Sequence, residues 1–99
     1  MMESPQNIGY RCAAHTQKPN PAFLSFQPEW FVGKYAKLAF PCNCKNCTKE
    51  YMWVYVTGLA SQSMEELRGE LNNEPLYSDY ELGELIEFSR SEILEILDK

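Results

Sequence analysis

The sequence predicts an α+β, mainly β fold: a small bent antiparallel sheet or partial barrel, a short C-terminal helix and an irregular N-terminal segment. Three observations carry that expectation. Two segments, 34–40 and 50–58, alternate side chains with the two-residue period of strands. Pro19, Pro21 and Pro28 interrupt regular structure in the first third. The connections are short and lack the spacing of β-α-β units, which excludes a doubly wound parallel sheet.

Taken in order, residues 1–9 are polar with Pro5 and Gly9, and read as a flexible lead-in to a single small domain over 10–99. The apolar run "AFLSFQPEWFV" is broken by Pro28, so it is expected to wrap the core as extended chain with one helical turn after that proline. In "KYAKLAF", Tyr35, Lys37 and Ala39 alternate with Ala36, Leu38 and Phe40, as in a half-buried strand. "EYMWVYVTG" is the strongest strand, with Tyr51, Trp53 and Tyr55 on one face and Met52, Val54 and Val56 on the other. Residues 41–49 between them are expected to form a loop, long for a hairpin.

"SMEELRGEL" contains two competing signals. Ser63 three residues before Glu66 is a capping-box signature, yet Leu67, Gly69 and Leu71 alternate with Arg68 and Glu70. Gly69 weakens a helix so short, so a helical turn at 63–66 followed by a strand at 67–71 is expected. "NNEP" is turn chemistry, and "ELGELIEFS" reads as another strand. Ser89 and Glu92 form a second capping box ahead of "SEILEILDK", predicting the C-terminal helix with Ile93, Leu94 and Leu97 as its apolar face.

With 99 residues, stability is thin without added support. Net charge is −5, unevenly placed: residues 1–50 hold six basic and three acidic side chains, residues 51–99 three and eleven. Such an acidic balance argues against a nucleic-acid binder, whose phosphate contacts need clustered Lys and Arg. The acidic half could face a basic partner, although an ordinary solvated surface is the commoner explanation. No run approaches the ~20 apolar residues of a membrane span, and the N-terminus lacks a signal-peptide layout. A cytoplasmic location with reduced thiols is therefore expected.

All four cysteines and the sole histidine fall in two clusters: Cys12 and His15 in "RCAAH", and Cys42, Cys44 and Cys47 in "PCNCKNC". A two-residue spacing in a tight turn can aim both ligand atoms at one ion, and two such pairs complete the tetrahedral site of zinc. Cys12, His15, Cys44 and Cys47 form the expected Cys3His set, with Cys42 as alternate ligand. Reduced or redox-active thiols and a disulfide remain open beside it. With four protein ligands the zinc is structural, a staple between the N-terminal third and the first hairpin. No Gly-rich phosphate loop, H-E-x-x-H motif or Ser–His–Asp set occurs. Trp53, Tyr55, Tyr77 and Tyr80 are candidate partner-binding residues, weighed against the commoner role of aromatics as core.

The segments "EYMWVYVTG" and "GELNNEPLY…LGELIEFSRSEILEI" resemble a bacterial family, domain of unknown function 2314, also called YegJ-like. Its pattern of a lysine-bearing strand, E-H/Y-M-W-V, G-x-L-x-N-x-P, G-D-x-V-x-F and a terminal E-I is similar to stretches within residues 30–97. The resemblance rests mainly on Met52, Trp53, Val54, Gly69, Asn73 and Pro75. It implies a small β-rich unit and brings no settled activity. Glu84 stands where that family commonly has Asp, and "PCNCKNCTK" replaces its short Asp/Gly-rich turn. The expected function is a non-enzymatic interaction or regulatory module with a protein partner, in one version a phage inhibitor or immunity-type protein. The alternative is a thiol-based redox switch or enzyme, with Lys45 lowering the pKa of Cys44 or Cys47.

Overall fold

A computed structural model describes residues 18–44, 47–60, 66–75 and 78–98, with the backbone alone at 42–44, 47 and 48. Five antiparallel strands form one open sheet in the order β4-β3-β2-β1-β5: β1 Tyr35–Cys44, β2 Cys47–Leu59, β3 Glu66–Leu71, β4 Leu85–Ser89 and β5 Glu95–Leu97. Helical conformation among the described residues is limited to three 3-10 turns, Pro21–Ser25, Pro28–Phe31 and Arg90–Glu92.

The β1–β2 hairpin sets the two faces. Its register pairs Ala36 with Val54 and Leu38 with Met52, so these residues share an inner face with Phe40 and Val56. Leu67 and Leu71 of β3 and Phe88 of β4, with Phe31 and Ile93, join them in one buried cluster. The opposite, outer face carries Tyr35, Lys37 and Ala39 beside Tyr55, Trp53 and Tyr51. Both hairpin strands run further than the expected 41–49 loop allows: β1 reaches Cys44 and β2 starts at Cys47. Pro41, which has no N–H to donate, coincides with a register irregularity between Pro41 and Cys44. A second irregularity, between Val56 and Gly58 on β2, lets the long strand bend.

Both early turns open on a proline, whose preset φ suits a first helical position where no N–H is needed. The one after Pro28 is the expected turn; the one at Pro21–Ser25 is additional and is capped by Asn20, whose Oδ1 accepts from the Ala22 N–H at 3.0 Å. Between them Phe23, Phe26, Trp30 and Phe31 interlock edge to face, with Phe26 and Trp30 centroids 4.4 Å apart. Gly33, at φ 89°, then swings the chain into β1, and its N–H donates to the Val56 carbonyl at 2.8 Å.

The expected C-terminal helix is not formed. Its capping box exists, with both Ser89 and Glu92 engaged, but it caps only the Arg90–Glu92 turn. The chain then extends: the Leu94 N–H donates to the Lys37 carbonyl at 2.9 Å, and Glu95, Ile96 and Leu97 pair with Lys37, Ala36 and Tyr35. A nine-residue helix is marginal in water, whereas the edge of β1 offers unpaired backbone groups that a strand satisfies. Ile93 and Leu94, just ahead of β5, are both buried. The capping box expected at 63–66 falls partly outside the described residues; Glu66 itself opens β3.

Candidate functional site

Local chemistry at three places decides what this sheet can do: the hairpin tip, the outer face of β1 and β2, and the turn after β3. At the tip, Cys44 and Cys47 are directly paired Cα partners across the hairpin. Opposed residues in an antiparallel ladder lie about 4.5–5.5 Å apart at Cα. That separation suits two thiolates on one ion, and equally a cross-strand disulfide. Cys42 lies further back on β1. Cys12 and His15, the other half of the expected zinc set, lie outside the described residues. Among the described residues no group of three or more His, Cys, Asp or Glu side chains is placed to hold a metal ion.

The outer face divides into a buried part and an exposed end. Lys37, only 3% exposed, holds its ammonium 3.0 Å from Glu95 Oε2 and 5.9 Å from the centre of the Trp53 ring. Glu95 stands opposite Lys37 in the β1–β5 register, so the same pairing that replaced the helix brings the carboxylate to the amine. The lysine stem covers apolar surface while its charge is held by an anion and the ring face. Trp53 and Tyr51 are buried, whereas Tyr55, at 38% exposure, is open to solvent. Tyr55 packs against Tyr35, its register partner, with ring centres 5.2 Å apart and planes tilted by 54°. These two rings, with Glu70, Leu82 and the Gly83 turn, line a shallow groove at one end of the sheet.

Behind β2, the turn after β3 is pinned by polar contacts. The Trp53 N–H donates to Asn73 Oδ1 at 2.5 Å, and the Asn72 N–H donates to the Trp53 carbonyl at 2.8 Å. Glu50, fully buried, accepts the Ser78 N–H at 2.9 Å through Oε1. This loop therefore crosses the inner face at Phe40, where the Tyr80 ring packs edge-on at 4.9 Å.

Of the aromatics expected to meet a partner, Tyr55 reaches the surface groove, Trp53 is enclosed, Tyr80 is half-buried against Phe40, and Tyr77 lies outside the described residues. Tyr35 and Leu82, which complete the groove with Tyr55, were not singled out by sequence. Tyr35 could have been found by counting the hairpin register back from Leu38 and Met52, because that count sets it opposite Tyr55. Leu82 had no such signal, since its position depends on how the 72–84 connection returns. Comparison of the chain with protein-family models, with curated proteins and with solved structures finds no match.

Proposed function

We propose that this chain is a non-enzymatic interaction module that docks a protein partner in the Tyr35–Tyr55 groove. The observation that carries this reading is the exposure of Tyr55 (38%), on β2, and Leu82 (49%), in the turn before β4, around one groove. Tyrosine is among the residues that anchor protein interfaces, because it combines a large rigid ring with a polar tip. In the same reading the hairpin tip is stapled by structural zinc on Cys12, His15, Cys44 and Cys47, in a cytoplasmic protein with reduced thiols. Direct pairing of Cys44 with Cys47 supports their choice over Cys42. The resemblance to the domain of unknown function 2314 family over residues 30–97 is compatible with an accessory role of this kind.

Two measurements test it. Protein purified without added metal should hold about one zinc per chain by elemental analysis, and Cys12→Ser or Cys47→Ser should lose it together with thermal stability. Wild-type melting in both variants and no bound zinc would sink the staple. For the groove, a bacterial protein that co-purifies with wild type should be lost with Tyr55→Asp and with Leu82→Asp while circular dichroism stays native. Equal recovery by both folded variants rejects the groove as the docking surface.

A second reading is a thiol switch, favoured by the same cross-strand position, which a disulfide also fits. Selective alkylation of one tip cysteine in metal-free protein, blocked by prior mild oxidation, would support it over zinc.

A further inference from the structure

On the inner side of the sheet, away from the tyrosine groove, lies a cavity of about 510 Å³. None of its lining residues is shared with the groove. Its walls are mostly apolar, formed by Leu38, Phe40, Tyr80, Ile86, Phe88 and Leu94. Four of these six (Leu38, Phe40, Phe88 and Leu94) belong to the buried residues of the fold, while Tyr80 and Ile86 are half-buried. This volume falls within the range of pockets that enclose small organic ligands, about 300–1,000 Å³.

The charges around it differ in how far they are already engaged. Glu87 lies 3.8 Å from Arg68, and Glu92 Oε1 accepts the Ser89 N–H in the capping box. Lys18 and Lys49 also line the cavity, both exposed, and among the described residues neither has a carboxylate partner. Two ammonium groups with no carboxylate partner among the described residues, beside an apolar interior, favour a molecule with an apolar body and one anionic head.

We propose that this cavity binds a small amphipathic anion, with the apolar or aromatic body against Phe40, Tyr80 and Ile86 and the head group between Lys18 and Lys49. The site is separate from the protein-docking groove.

The test uses the full chain and two fluorescent probes of nearly the same shape. One is 1-anilinonaphthalene-8-sulfonate; the other is the neutral N-phenyl-1-naphthylamine. The sulfonate should bind saturably at one site per chain, about tenfold tighter than the neutral probe, and decanoate should displace it. Reversing both lysines, Lys18→Glu with Lys49→Glu, should weaken the sulfonate about tenfold and leave the neutral probe unchanged. Ile86→Trp should fill the cavity and remove both signals. Near-ultraviolet circular dichroism confirms that each variant keeps native packing, and the lysine pair, being exposed, decides the matter if Ile86→Trp does not fold. Equal affinity for the two probes, binding without saturation, or sulfonate binding unchanged by the lysine reversal overturns the proposal.

Discussion

Asn73→Ala removes one acceptor and should cost far more than its size suggests. Pairing of β2 with β3 runs from Leu59–Leu67 to Val54–Leu71 and stops there. The next β2 residue, Trp53, directs its N–H and carbonyl toward the side that β3 has just vacated. Asn73, 4% exposed, bends back to supply Oδ1 to that N–H, and the Asn72 N–H satisfies the carbonyl. Without the side chain, a buried N–H on a buried strand has lost its acceptor, at a penalty of about 1–3 kcal/mol. At a value of about 2 kcal/mol, a domain of this size should lose roughly 8–16 °C in melting temperature.

Urea unfolding followed by tryptophan fluorescence would measure this, with the midpoint falling and the slope unchanged. The control is Asn72→Ala. Asn72 contributes its backbone N–H to the contact, so its side chain should be worth less than about 0.5 kcal/mol. Hydrogen exchange supplies the local readout: the Trp53 amide should lose protection in Asn73→Ala ahead of the Val54 amide. The reasoning is wrong if the two alanine variants are equally stable, or if Trp53 exchange is unchanged.

Local geometry sets three further outcomes. Gly69→Ala should lose about 2 kcal/mol, because a Cβ there would press on the Tyr55 carbonyl and lie 2.6 Å from Val54 Cγ1; Gly58→Ala, with open space around it, should be neutral by the same denaturation assay. Arg90→Met should cost about 1.5–3 kcal/mol, since Nη1 donates to the Leu24 and Phe26 carbonyls at 3.2 and 2.5 Å and ties the first 3-10 turn to the last. Ile93→Ala, at a fully buried position, should cost about 2–5 kcal/mol, which thermal melting would register as the largest loss of the series.

The central hairpin was legible because its alternation of apolar side chains specifies both faces and leaves one workable register. Leu38 and Met52 cannot be moved by one residue without turning every neighbour outward. The tip was misread for a compositional reason. "PCNCKNC" carries no apolar alternation, and proline, asparagine and lysine all signal turns, so the segment passes for loop. Strand extension there depends on backbone pairing between neighbours already held antiparallel, which composition does not reveal. Of the candidate site, Tyr55 was readable from its strand period, but burial of Trp53 on the same face was not, since it depends on what lies against that face.

The C-terminus shows why a correct local signal can predict the wrong element. A capping box satisfies backbone donors at the start of a helix and carries no information about how far the helix runs. Here the box does form, and its side-chain contacts are those expected of Ser89 and Glu92. The conformation beyond Glu92 is settled by a competition that no local window contains. A helix over the last residues would satisfy its own backbone but leave β1 as an exposed edge. A strand satisfies both backbones at once and sends Ile93 into the core. The same choice places Glu95 against the buried Lys37 ammonium, a charge that would otherwise lose this partner. Sheet edge and buried lysine thus favour the same conformation. Glu95, which reads in sequence as one more surface carboxylate, becomes part of how the fold closes.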